Sequence, residues 1–202
     1  MKILSVQALR GPNIWSVRRK KLIQMRLDLE DMEQKPSNLV AGFADRLEAM
    51  FPTMYEHRCS EGVPGGFFQR VRRGTWMGHV IEHIALEIQT LAGMETGFGR
   101  TRETKSPGIY NVVFSYTEES VGLFAAESAV RIAEALISGE EYDVQADIMR
   151  MREIREDVRL GPSTASLVDE AVSRDIPWIR LGTNSLIRLW CKPSSFSGYH
   201  YR

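Results

Sequence analysis

His79, Glu82 and His83 stand in the run GHVIEH, in the order HxxEH. On an α-helix, residues four apart lie one turn apart on the same face, so the two imidazoles can meet one metal ion. A glutamate beside them can take a proton from a water that the ion polarises. HxxEH is the inverted form of the zinc-hydrolase helix motif HExxH. The spacing therefore points to Zn2+ held by His79 and His83, with Glu82 as general base. A catalytic zinc site normally has three protein ligands and an open position. The sequence leaves the third ligand open among His57, Glu87, Glu118, Glu119 and Glu127. The competing reading is a solvated polar helix face, because short motifs recur by chance.

These residues need a helix beneath them. Thr75 is a suitable N-cap for a helix running to Leu91, with Gly93 as its stop. On that helix Met77, Ile81, Ile84, Ala85, Ile88, Leu91 and Ala92 form a core stripe, and His79, Glu82, His83 and Leu86 fall opposite. Arg70, Arg72 and Arg73 precede the helix, and Arg100 and Arg102 follow it in a glycine-bearing loop over 97–108. Arginine forks clamp carboxylates, so Arg72, Arg73, Arg100 and Arg102 are candidate substrate-binding residues. Salt bridges to Glu61, Glu95 and Glu103 are the plainer reading of the same charges.

The rest of the chain supplies a scaffold. Strands are expected over Lys2–Leu9, Lys20–Leu29 and Ile109–Tyr116, and helices over Ser37–Met50 and Glu118–Ile137. A loop is expected over Cys59–Gly66, and a charged helical connector over Tyr142–Leu160. The order implies an α+β fold, a small sheet of about three strands covered by helices. The 26 acidic and 26 basic residues cancel, which disfavours nucleic acid and anionic membranes as partners. Two cysteines without a pairing motif, and no apolar run of spanning length or signal-like N-terminus, lead us to expect a cytoplasmic protein.

Four long strings carry a resemblance: ILSVQALRGPNIWS, CSEGVPGGFFQRVRRGTWMGHVIEHIALEIQTLAG, FGRTRETKSPGIYNVVFSY and LGPSTASLVDEAVSRDIPWIRLG. Together they resemble the N-terminal domain of cyanophycin synthetase, from Met1 to about Leu189. The resemblance implies a family that builds a polymer with an aspartate backbone and arginine side branches. It does so with ATP and Mg2+ in an ATP-grasp module and a Mur-ligase-like module. The N-terminal domain helps hold the polymer, and in some members carries a metallopeptidase-like centre that cuts primers. His79, Glu82 and His83 match that centre. Residues 1–160 would then form this domain, and 161–189 would open an incomplete ATP-grasp region, with a helix capped by Ser163 and a strand over Trp178–Leu181.

No GxxxxGK occurs, and the ligase modules that use ATP and Mg2+ are expected to be missing here. From Trp190 to Arg202 the likeness ends, and we expect an unrelated, disordered tail, the product of a shifted or interrupted reading frame. The expected function is binding of the polymer and its metal-dependent cleavage. A non-catalytic binding module, a piece that docks on intact synthetase or forms a homo-oligomer, and a functionless gene remnant are the alternatives.

Overall fold

The computed structural model describes residues 1–17, 21–59, 62–182 and 185–190. The chain divides into two compact units, Met1–Arg155 and Glu156–Arg202. In the first, strands β1 (Lys2–Leu9), β2 (Leu22–Asp28), β3 (Gly99–Glu103) and β4 (Ile109–Ser115) form one antiparallel sheet in the order β1-β2-β4-β3. The fold is α+β, as the order of elements implies, with four strands in this sheet rather than three.

The sheet has a definite inner face because its residues alternate. Ile23, Met25 and Leu27 of β2 lie opposite Phe114, Val112 and Tyr110 of β4, and all six are buried. Helices α3 (Met77–Leu91) and α4 (Glu119–Ser138) contribute to the same core. Alanines on α4 keep its inner face flat, and Gly122 leaves room where a Cβ would meet Tyr116 and Ile23 at 2.8 and 2.9 Å. α4 ends at Gly139, whose φ of 78° is the left-handed stop that glycine adopts readily.

The expected helix over Ser37–Met50 is instead a 3-10 turn at Ser37–Leu39 and a shorter helix α1 (Phe43–Met50). Gly42 stands between them at φ 68°, breaking the helical run. A further 3-10 turn spans Pro52–Glu56, and α2 (Gly66–Arg73) covers the arginines that precede α3. The loop expected over 97–108 contains β3, a correction set by the packing of Gly99 and Thr101 against α3. α5 (Val144–Val158) is helical, as expected for the charged connector over Tyr142–Leu160.

The second unit holds α6 (Pro162–Ser173) and a hairpin of β5 (Trp178–Arg180) and β6 (Ile187–Leu189). Gly161, not Ser163, stands at the N-cap of α6. The expected tail from Trp190 lies, past Trp190 itself, outside the described residues. No described helix is long and apolar enough to cross a membrane.

Candidate metal centre

α3 is buried on all sides: 12 of its 15 residues are buried, among them Glu82, His83 and Glu87. The solvated polar face considered for the motif is therefore absent. The side opposite the core stripe is covered by two other pieces of chain. One is the strap of residues 52–59, which precedes α2 in the chain. The other is β3.

On the strap side three donors converge. One ligand atom each from Cys59, His79 and His83 lies within 4.8 Å of the other two. Cys59 Sγ is 3.1 Å from His79 Nε2. Donors bound to one tetrahedral ion at zinc-like bond lengths stand about 3.3–3.8 Å apart. A thiolate with two imidazoles is also a zinc-like donor set, so the residues present fit such an ion. Cys59, which is not among the candidates left open for the third position, is the residue that meets the two histidines. Of those candidates, Glu119 is held by Arg10 at 2.6 Å and Glu127 is exposed, both on α4, and Glu118 caps that helix.

His57 and Glu87 do reach the site, one layer out. His57 Nδ1 is 2.9 Å from His83 Nδ1, and His57 Nε2 is 2.8 Å from Glu87 Oε2. The Thr53 hydroxyl donates to the other Glu87 oxygen. Phe67 of α2 stacks on the His83 ring with centroids 4.1 Å apart and meets His79 edge-on at 5.9 Å. Thr75 does not cap α3; its hydroxyl is 3.1 Å from His79 Nδ1 and accepts from Arg70 Nε, and Trp76 takes the N-cap place.

The electrostatics follow from this packing. Burial pushes His79 down to about 4, helped by Arg70, and holds His83 well below its ordinary 6.5, with His79, His57 and Arg70 adding to it. Both rings are therefore neutral near pH 7, the form that binds a metal. Burial alone would raise Glu87, but the bonds from His57 and Thr53 outweigh it and keep the carboxyl below its usual range.

Glu82 belongs to the other side. Its carboxylate accepts from Thr101 Oγ1 of β3 at 2.6 Å. A Cβ on Gly99 would collide with that carboxylate, so glycine lets the strand close on the helix. Burial raises Glu82 to about 7, against the opposing pull of Thr101 and Arg100.

The arginines are scattered. Arg72 is committed to Asp45 at 3.2 Å and to Glu48, acidic groups other than those expected. Arg73 and Arg70 line a groove with Asn38, Thr75 and Trp76, next to the residue that bonds His79. Arg100 and Arg102 are exposed on β3, Arg100 lying over the Phe98 ring at 5.9 Å. Arg70, near enough to lower both site histidines, was not among the residues assigned to substrate.

Residues 24–138 match the family model described as cyanophycin synthase-like N-terminal domain, and the chain belongs to that family. Over 192 residues, 94% of this chain, it is 52% identical to the cyanophycin synthetase of Geminocystis herdmanii. It is 50% identical over the same length to those of Crocosphaera subtropica and Synechocystis sp.. The chain spans about a fifth of these relatives, 22% of their length.

Proposed function

We infer that this domain binds the aspartate–arginine polymer and hydrolyses it at a metal centre held by Cys59, His79 and His83. The convergence of these three donors, two of them from the HxxEH helix, carries the reading. A zinc-like ion held there would supply Lewis acidity for amide hydrolysis. Glu82 accepts the proton of the attacking water and returns it to the amine that leaves when the amide bond breaks. A carboxyl raised to about 7 is matched to that exchange near neutral pH. Arg70 and Arg73, in the groove beside Thr75, face the polymer's carboxylates, and Arg100 and Arg102 extend the cationic surface on β3.

The test is incubation of the protein with purified polymer, counting new amino termini. Cleavage is expected with zinc, and loss of it after chelation, in Cys59→Ser and in Glu82→Gln. Equal cleavage by Glu82→Gln removes Glu82 as the base. Binding without cleavage in every condition moves the domain to a non-catalytic polymer-holding role, which the exposed arginines of β3 favour.

A further inference from the structure

β3 is an edge of its sheet, because it pairs with β4 and with no other strand. The ladder fixes which of its main-chain groups are used. Ser115 donates its N–H to the Phe98 carbonyl, and Thr104 donates its N–H to the Ile109 carbonyl. Bonded pairs alternate along an antiparallel ladder, so Arg100 and Arg102, between these two, also turn their N–H and C=O toward β4. Gly99, Thr101 and Glu103 turn theirs the other way, off the sheet. There they meet no main-chain partner among the described residues.

The other edge of the sheet is different. β1 carries an irregularity between Ile3 and Ser5, the kind that blunts an edge against further pairing, whereas the β3 register runs unbroken. The β3 edge also lies beside the candidate site. α4 packs on β1 and β2, and α3 on β4 and β3, so the flank of α3 away from α4 borders this edge. Thr101 Oγ1 ties strand to helix, donating to Glu82 at 2.6 Å and standing 3.2 Å from the Gly78 carbonyl. Gly99 puts no side chain in the space that Glu82 fills.

We propose that the open edge of β3 binds the substrate's extended main chain as an added strand, hydrogen-bonded to Gly99, Thr101 and Glu103, with Arg100 and Arg102 holding carboxylates on alternate branches. This deepens the reading above and rests on it for the identity of the substrate. The polymer's aspartate backbone is a polypeptide, so it carries the N–H and C=O groups that a strand edge recognises. A strand added there runs about 4.8 Å beyond β3, along the flank of α3 that carries the HxxEH residues. Residues paired across strands share a face. Branches opposite Arg100 and Arg102 therefore lie on the outer face of the sheet. Both guanidiniums are exposed there and, among the described residues, enter no ion pair. Carboxylates on those branches complement them. Branches opposite Gly99 and Thr101 turn to the α3 side instead. The edge thus reads every second repeat by charge and all of them by main chain.

The test uses the full chain treated with chelator, so that hydrolysis does not intervene, and a soluble synthetic oligomer of the aspartate–arginine repeat as probe. Amide exchange is read residue by residue by NMR, and affinity by calorimetry. In free protein, slow exchange is expected at Arg100 and Arg102 and fast exchange at Gly99, Thr101 and Glu103. Saturating oligomer is expected to slow the second set. Glu103→Pro removes one outward N–H and leaves the β4 ladder intact, since proline is tolerated where a strand's N–H faces away from the sheet. Affinity is expected to fall roughly 5–10-fold, the worth of one hydrogen bond. Glu103→Ala, which keeps the N–H, is expected to stay near wild type. Circular dichroism verifies folding, and the wild-type exchange pattern decides the matter if the proline variant does not fold. Outward amides that are already slow in free protein, or that stay fast with oligomer bound, overturn the proposal, as does equal affinity in folded Glu103→Pro and Glu103→Ala. No binding by wild type sinks the polymer reading together with it. Alternating protection in a protein that cleaves nothing once zinc is restored keeps the edge as the binding element and removes hydrolysis.

Discussion

The two flanks of α3 are built from the same helix and behave in opposite ways. The strap flank buries two imidazoles and lowers them; the β3 flank buries one carboxyl and raises it. Burial disfavours charge on either kind of group, so one cause gives two directions. The result is neutral imidazoles, each with one unprotonated nitrogen, on one side and an acid–base group that titrates near neutrality on the other. The comparison shows that the motif's spacing alone does not make the site. What covers each flank decides what each residue does.

The strongest way to break the comparison is Phe67→Ala. Phe67 is fully buried and touches only the strap flank of the site, at His83, His79 and His57. Its loss should cost about 3–5 kcal/mol in urea unfolding. The histidine ring signals should shift while the Glu82–Thr101 hydrogen bond stays. Next is Gly99→Ala, which acts on the β3 flank. The added Cβ meets the Glu82 carboxylate, and strand or side chain must move, at about 1–3 kcal/mol by thermal unfolding. Cobalt binding to Cys59, His79 and His83 should survive it.

The pH dependence sharpens the contrast. Unfolded histidines protonate below 6.5, whereas the folded pair resists, so His79 and His83 make stability fall as pH falls from 6.5 toward 4. Glu82 acts oppositely. Between 4.5 and 7 the folded carboxyl holds a proton that the unfolded one has lost, so its share of stability grows as pH falls through that window. Two groups oppose one, and a net loss on acidification is expected in metal-free protein. Glu82→Gln removes the opposing group. Its stability should fall more steeply between pH 6.5 and 4.5, by up to about 1.4 kcal/mol per pH unit, read by urea unfolding at several pH values. An unchanged slope would mean that Glu82 titrates near 4.5. The smallest effect is Thr101→Val, about 1 kcal/mol, with Glu82 titrating higher still by carboxyl NMR.

How much of this the sequence discloses follows the same division. Strong periodicity reveals β2, β4, α3 and α4, the elements that make the core. β3 escapes because GRTRE has no apolar alternation: its inward residues are Gly99 and Thr101, chosen for closeness to α3 rather than for hydrophobicity. The histidine pair is legible because a helix puts four-apart residues together. Cys59 and His57 are not, because they meet α3 across 20 to 30 residues of chain through a turn with no regular pattern. One signal was available: three of four histidines and one of two cysteines fall between positions 57 and 83. The side opposite the core stripe reads as solvated because periodicity records only where apolar residues lie. It does not record what covers the polar ones.

The burial of α3 has a consequence for exchange in time. Amides of a helix enclosed on all sides swap hydrogen for deuterium only when most of the unit opens, whereas short turns open on their own. Residues 52–59 are one 3-10 turn and a loop. His79 and His83 therefore stand on an element expected to open slowly, and Cys59 and His57 on a segment expected to open sooner. Whatever enters or leaves the cluster would do so when that segment lifts, with the helix still closed.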